Sequence, residues 1–177
     1  MPLRIVATNI LLFSIYTHVN ADSTIIAVSS NMSHAIQEIT EHFTQQTQHK
    51  LILSFGSSGN LAHQIINGSP HELFLSANAD YISQLTKTNK TISNGKAYAI
   101  GRLCLYIPNK STLKNQQNFD SIINKLIFGR YKKLTLANPK TAPYGSAALI
   151  TLRNLGVWAF DQRKLVIGEN VSQTTQF

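Results

Sequence analysis

The sequence is poor in cysteine and in acidic residues, and each shortage excludes a class of protein. Its 177 residues contain one cysteine, Cys104, so no disulfide can form within the chain. Eight Asp and Glu stand against 16 Lys and Arg, which gives a formal net charge of +8. This balance favours an anionic partner. The basic residues are dispersed and form no array with aromatic residues, so nucleic-acid binding is not expected.

The sequence also lacks an apolar segment long enough to span a membrane. A short run of apolar residues lies close to the N-terminus. Arg4 supplies a positive charge, residues 10–16 supply a short apolar region, and Val19-Asn20-Ala21 offers small residues for cleavage. This run is too short to span a membrane and is typical of a secretory signal peptide. We predict a signal peptide over residues 1–21, the alternative being a buried N-terminal strand.

What the chain does have is a regular alternation of short apolar runs and helical patterns. The runs that predict strands are residues 24–28, 51–55, 73–77, 134–137 and 164–167. Amphipathic helical spacing follows most of them, which predicts βαβ units with parallel sheets. A longer extended run, interrupted at 101–102, covers residues 97–108 and is expected to connect two lobes. Cys104 lies in this run, so we expect a buried structural thiol.

Small polar turns join three of these strands to the helices that follow. The clearest is Ser54–Leu61, in which serines and glycines precede a helical pattern. Similar turns follow the strands at 24–28 and 134–137. Free backbone N–H groups at a helix N-terminus attract anions, and in a parallel sheet such turns meet at one edge. The alternative is simple helix capping by the serine side chains.

The same residues give little support to an enzyme. Six histidines are present, but no pair has the spacing of a helical zinc motif. The turn at 56–59 is one residue short of the Gly-x-Ser-x-Gly elbow that a serine hydrolase requires. We therefore expect no catalytic residues and no metal ligands.

The order of the motifs resembles that of the periplasmic molybdate-binding proteins of ABC importers. The matching segments are Ala27–Asn31, Ser54–Ala62, Leu73–Ala77, Asn138–Gly145, Leu155–Trp158 and Gly168–Val171. The resemblance implies an α/β, two-lobed, type II-like substrate-binding fold, with lobes at 22–101 and 102–177. In that family a further strand with an anion-contacting tyrosine follows, and then helices that return to the first lobe. We expect this C-terminal portion to be missing here.

The resemblance also implies a ligand and a site. The ligand would be molybdate or tungstate, held between the lobes by neutral hydrogen-bond donors. By motif position these donors would be Asn31 and Ser58 from the first lobe, Ser58 through both its hydroxyl and its backbone N–H and with Ser57 beside it. The backbone N–H groups of Tyr144 and Val171 would close over the anion from the second lobe. The protein would be a periplasmic monomer that has no cofactor and delivers the anion to an ABC permease in the inner membrane.

Two alternatives stay open within this resemblance. One is another oxyanion, such as sulfate, or a small organic acid. Phosphate is disfavoured because partly protonated phosphate needs a hydrogen-bond acceptor, and the polar turns contain no acidic residue. The other is a shortened remnant of the family that no longer binds a ligand.

Overall fold

The computed structural model describes residues 23–114, 118–157, 161 and 163–177. The predicted signal peptide at 1–21 and Trp158 of the family motif lie outside the described residues. No helix in these ranges is long and apolar enough to cross a membrane.

The chain forms two α/β units, each built on its own parallel sheet, as the alternating pattern predicts. The first unit contains β1 (Ser23–Ser29), a 3₁₀ turn (Ser30–Met32), α1 (Ser33–Thr47), β2 (Lys50–Gly56), α2 (Ser58–Ile66), β3 (Leu73–Leu75) and α3 (Ala79–Lys87). The second contains α4 (Phe119–Ile127), β4 (Leu134–Ala137), α5 (Pro143–Asn154), β5 (Leu165–Gly168) and α6 (Val171–Thr174).

The first sheet has the order β2-β1-β3, and all its strands are parallel. Alternate residues of β1 point to opposite faces of the sheet. On one face Ala27 packs with residues of α2 and α3, and on the other Ile26 and Val28 pack with Ile36 of α1. The burial of both faces explains why β1 is almost continuously apolar, as is usual for a central parallel strand.

The second sheet pairs β4 with β5 in parallel, with Leu134 opposite Leu165. The hydrophobic core of this unit is formed by residues of both the strands and the helices. The buried members are Leu113, Ile123, Leu126, Tyr131, Leu134, Leu136, Leu152 and Val157. This core shares no member with the clusters of the first sheet, so each unit has its own apolar interior.

Glycine and asparagine residues occupy several of the helix ends. Gly68 adopts φ of 90° just after the C-cap of α2, a conformation that favours glycine. The N-caps of α3, α4 and α6 are asparagines whose side chains accept backbone N–H bonds.

The extended run at 97–108 is where the sequence prediction is wrong. These residues form neither a strand nor a helix, and the side chain of Cys104 is exposed rather than buried. A strand requires a hydrogen-bonded neighbour, and within the described residues neither sheet provides one for this segment. Its apolar residues are consequently exposed, with Ile100 and Tyr106 among the most accessible.

Candidate functional site

Four serines are buried where β1 and β2 end. Ser29 and Ser30 end β1 and begin the 3₁₀ turn, while Ser57 and Ser58 form the start of α2. Ser29 and Gly56 are opposite each other in the parallel register, so the two turns lie side by side. Such a concentration of buried hydroxyls requires hydrogen-bond partners, because an unpaired buried polar group destabilises the fold.

Ser58 finds its partners within the protein. Its Oγ donates to Ser29 Oγ at 3.0 Å and accepts from the backbone N–H of Ala77, also at 3.0 Å. The side chain is completely buried. Ser58 therefore ties β1, α2 and the chain after β3 together. Its hydroxyl, which was predicted to donate to the anion, instead donates to Ser29 in this conformation. Its backbone N–H remains in the first turn of α2.

Ser57 is different, because its hydroxyl is buried without a hydrogen-bond partner among the described residues. It is the N-cap residue of α2, but its side chain makes no capping bond. Its Oγ is thus beside the positive end of a nine-residue helix and free to donate. This arrangement suits an anion better than it suits the simple capping considered from the sequence.

The two units meet directly beside this pair of serines. The backbone N–H of Gly59 donates to the carbonyl of Thr141 at 2.8 Å, and Tyr81 Oη lies 3.5 Å from the same oxygen. A Cβ atom at Gly59 would lie 2.7 Å from that carbonyl oxygen, so only glycine permits this approach. Thr141 Oγ1 is a second buried hydroxyl without a partner in the part of the chain that the structure describes.

A second contact joins the units on the side of the 3₁₀ turn. Ser172 Oγ, in α6, donates to the carbonyl oxygen of Ser30 at 3.0 Å. Together with the Gly59–Thr141 bond, it brings the beginnings of α2 and α6, the 3₁₀ turn and the loop before α5 into one region. The predicted site residues lie in these elements or, in the case of Tyr144, in the first turn of α5.

Three predicted residues lie next to these contacts. Asn31 follows Ser30 in the 3₁₀ turn and is exposed, so its amide is accessible to a ligand. Tyr144 is the second residue of α5, and Val171 is the first of α6, so their N–H groups lie in first turns, which lack intrahelical acceptors. The structure brings Ser57 and Ser58 together on α2 and places the other three on the adjoining elements.

Sequence reasoning missed two residues of this region, Ser29 and Thr141. Both belong to motif segments, but neither was singled out. Ser29 Oγ accepts a hydrogen bond from the Ser58 hydroxyl, so the Ser29 hydroxyl can still donate to another acceptor. The signal for it was its position at the carboxyl end of β1, whereas nothing in the sequence distinguishes Thr141 from an ordinary loop residue.

The hydroxyl and backbone N–H groups that converge here are uncharged. No group of three or more His, Cys, Asp or Glu that could hold a metal ion occurs among the described residues. Burial, and then the charge of Asp80, raises the pKa of Tyr81. Burial, and then Tyr144, raises the pKa of Tyr98, whose Oη donates to the Ser76 carbonyl at 2.9 Å. These phenols therefore remain protonated donors at neutral pH.

Comparison with known proteins agrees with this architecture. Residues 25–177 match the family described as "Bacterial extracellular solute-binding protein". The chain belongs to this family. Its members bind solutes, so the family is one of binding proteins rather than of enzymes.

Curated relatives extend the comparison. The "Molybdate-binding protein ModA" of Azotobacter vinelandii is 37% identical over 153 residues, which are 86% of this chain and 58% of the relative. Its namesake from Rhodobacter capsulatus is 32% identical over 164 residues, which are 89% of this chain and 60% of the relative. The chain therefore spans about 60% of the length of the curated relatives that it matches.

A solved structure supports the fold. The Azotobacter vinelandii periplasmic molybdate-binding protein aligns with a TM-score of 0.63 and 22% identity, covering 86% of this chain and 65% of that chain. The predicted class, an α/β substrate-binding protein fold, is confirmed by this match and by the family.

Proposed function

We propose that this protein captures a tetrahedral oxyanion, molybdate or tungstate, between its two α/β units. The observation that carries the proposal is the hydroxyl of Ser57, which is buried at the N-terminus of α2 without a partner in the described chain. Two residues further on, Gly59 contacts the second unit. A ligand at this position is therefore reached by donors from both units, which we assign as lobes at 22–101 and 102–177.

The proposed ligand set contains only neutral donors. It comprises the Asn31 amide, the Ser57 hydroxyl, and the backbone N–H groups of Ser58, Tyr144 and Val171. A fully deprotonated dianion accepts hydrogen bonds at every oxygen and needs no protein acceptor. Helix N-termini supply further positive potential without a counter-charge. Size selection follows from how far the lobes close, which is a hinge mechanism.

The names of the relatives support the choice of anion. Two curated relatives above 30% identity are called molybdate-binding. By that similarity, the protein acts in the periplasm after removal of a signal peptide at 1–21, and it delivers the anion to an ABC permease in the inner membrane. Tungstate has the same charge and tetrahedral shape as molybdate, so we propose both as ligands.

Calorimetric titration of residues 22–177 with molybdate, tungstate, sulfate and phosphate tests the proposal. We expect saturable heats for molybdate and tungstate with similar affinities, and weaker or no binding for sulfate and phosphate. Circular dichroism on the same sample verifies folding. A folded protein that gives no heat with any oxyanion would contradict the proposal and favour a non-binding remnant. Preference for sulfate would retain the site but change its ligand.

A further inference from the structure

A side-chain hydrogen bond joins the two units beside the candidate site. Ser172 Oγ, in α6, donates to the carbonyl oxygen of Ser30 at 3.0 Å. Ser172 follows Val171 in the chain, and Ser30 precedes Asn31, so each end of the bond is next to a proposed ligand donor. The bond therefore controls the spacing between a donor of the second unit and a donor of the first.

Helix α6 is held firmly in the second unit. Its N-cap residue, Asn170, accepts from the N–H of Gln173 at 3.0 Å, and the Gln173 side chain accepts in turn from the N–H of Glu169 at 2.6 Å, an arrangement similar to a capping box. A Cβ atom on Gly168, the last residue of β5, would lie 2.6 Å from Thr174 Oγ1, so the helix packs directly against the end of the strand. The residues of α6 consequently move with β5 as one body.

The carbonyl group of Ser30 is equally well anchored in the first unit. Ser30 is 5% exposed and follows Ser29, the last residue of the central strand β1. Its oxygen also accepts the backbone N–H of Ser33. A carbonyl oxygen has two lone pairs, so the bonds from Ser33 and Ser172 occupy both. No lone pair of this oxygen is then left to repel an anion.

The contact on the other side of the site has the same form. The Thr141 carbonyl oxygen accepts from the Gly59 N–H at 2.8 Å, and Tyr81 Oη lies 3.5 Å from it. This contact flanks the start of α2, whereas the Ser172 contact flanks the 3₁₀ turn. Two separate contacts limit both the distance and the angle between two bodies that close about a hinge. Closure thus stops at bonds between protein groups.

We propose that Ser172 is a positioning residue that sets the anion selectivity of the site. This role rests on the proposed oxyanion function and adds the contact at which closure stops. With the bond to Ser30 formed, the space between the Val171 N–H and the Asn31 amide has a fixed width. Molybdate and tungstate, with their long metal–oxygen bonds, reach the donors of both units. Sulfate has shorter bonds to oxygen and cannot reach both with good hydrogen-bond geometry.

Ser172→Ala tests this role, and Ser172→Thr, which keeps the hydroxyl, is the conservative variant. Calorimetry gives the affinities for molybdate and tungstate, and titration of molybdate into protein mixed with excess sulfate gives the affinity for sulfate. We expect the alanine variant to bind molybdate and tungstate about three- to tenfold more weakly, as for the loss of one hydrogen bond. Sulfate binding should be unchanged or tighter, so the preference for molybdate falls by at least the same factor. The threonine variant should restore this preference.

Thr175→Ala is the matched control. Thr175 Oγ1 lies at the same end of the chain segment but donates to the Ser172 carbonyl oxygen, within its own unit, at 2.8 Å. Removing this hydroxyl breaks a hydrogen bond of α6 without touching the contact between the units. The control should therefore leave the preference for molybdate over sulfate unchanged.

The distance between the units is a second measurement. Spin labels on Ser83→Cys and Arg153→Cys, in a Cys104→Ser background, report the separation of exposed positions on α3 and α5. With molybdate present, the distance distribution should be broader in the Ser172→Ala protein than in the parent. It should be narrow again in the Ser172→Thr protein.

Three results would overturn the proposal. Parent-like selectivity and distances in the Ser172→Ala protein would overturn it alone, because molybdate binding by the parent would still support the proposed function. Equal weakening for molybdate, tungstate and sulfate would do the same, since Ser172 would then support affinity without selecting the ligand. A folded parent chain that binds none of the three would overturn the proposed function and, with it, this role of Ser172.

Discussion

Replacing Ser57 with alanine should change stability and ligand affinity in opposite senses. The Ser57 hydroxyl is buried and has no partner in the described chain, and it makes no capping bond to α2. Removing it from the ligand-free protein deletes an unsatisfied polar group without breaking a hydrogen bond. Removing it from the complex deletes a donor to a charged ligand.

The magnitudes follow from these two situations. An unsatisfied buried hydroxyl costs about 1–3 kcal/mol, so the ligand-free variant should be as stable as the parent or more stable by about that amount. A hydrogen bond to a charged group contributes about 1.5–3 kcal/mol, which corresponds to a roughly 10- to 150-fold loss of affinity. A residue that serves the fold alone cannot give this combination.

Urea unfolding of the ligand-free protein and calorimetric titration with molybdate measure the two effects separately. Ser83→Ala is the matched control, because Ser83 is exposed on α3 and should change neither quantity by a measurable amount. A Ser57→Ala protein that is less stable but binds molybdate normally would refute the reasoning, since it would make the hydroxyl structural.

Three further changes separate the roles of neighbouring groups. Ser58→Ala should lower the free energy of unfolding by about 1–3 kcal/mol in urea titrations, because two hydrogen bonds of its hydroxyl are lost. Gly59→Ala should weaken molybdate binding and enlarge the radius of gyration in X-ray scattering, because its Cβ would lie 2.7 Å from the Thr141 carbonyl oxygen. An unchanged radius with full affinity would contradict this. The pKa of Tyr98 is raised above 10.0, mainly by burial and then by Tyr144, so its contribution to stability is fully present below pH 10 and is lost as pH rises through the folded pKa. Urea midpoints between pH 9 and 11.5 should show this loss, and Tyr98→Phe should reduce it.

Most of the fold could be predicted from the sequence because its elements are locally determined. The strand predicted at 134–137 is observed at Leu134–Ala137, and α2 ends at Ile66, just before Asn67 and Gly68. Buried parallel strands leave a continuous apolar run, and helix ends leave glycine or asparagine, so both leave short-range signals.

The segment 97–108 shows where local signals are insufficient. Its apolar residues have strand propensity, but a strand exists only where a neighbour supplies the ladder. Neither sheet supplies one within the described residues, so the segment stays irregular and Cys104 is exposed. Strand propensity is a property of the segment's own residues, whereas strand pairing depends on a partner strand that can lie far away in the sequence.

The sequence indicates the region of the candidate site, because the polar turns lie at the strand ends. It does not indicate which hydroxyl and N–H groups in that region are free to donate. Strand–turn–helix motifs indicate that N–H groups collect at one edge of each sheet. They do not indicate which hydroxyls are already paired. Ser57 and Ser58 are adjacent and chemically identical, yet Ser58 is fully engaged with Ser29 and Ala77 while Ser57 has no partner in the described chain.

The contact between the units decides which donors remain for a ligand. The N–H of Gly59 belongs to the first turn of α2 and would be an obvious anion donor if α2 were considered alone. In the assembled chain it is bonded to the Thr141 carbonyl. The donors left at this helix end are the Ser57 hydroxyl and the Ser58 N–H. The contact that occupies the Gly59 N–H also brings the second unit beside the Ser57 hydroxyl and the Ser58 N–H. In the proposed site, these two groups are therefore the donors from α2 that face the second unit.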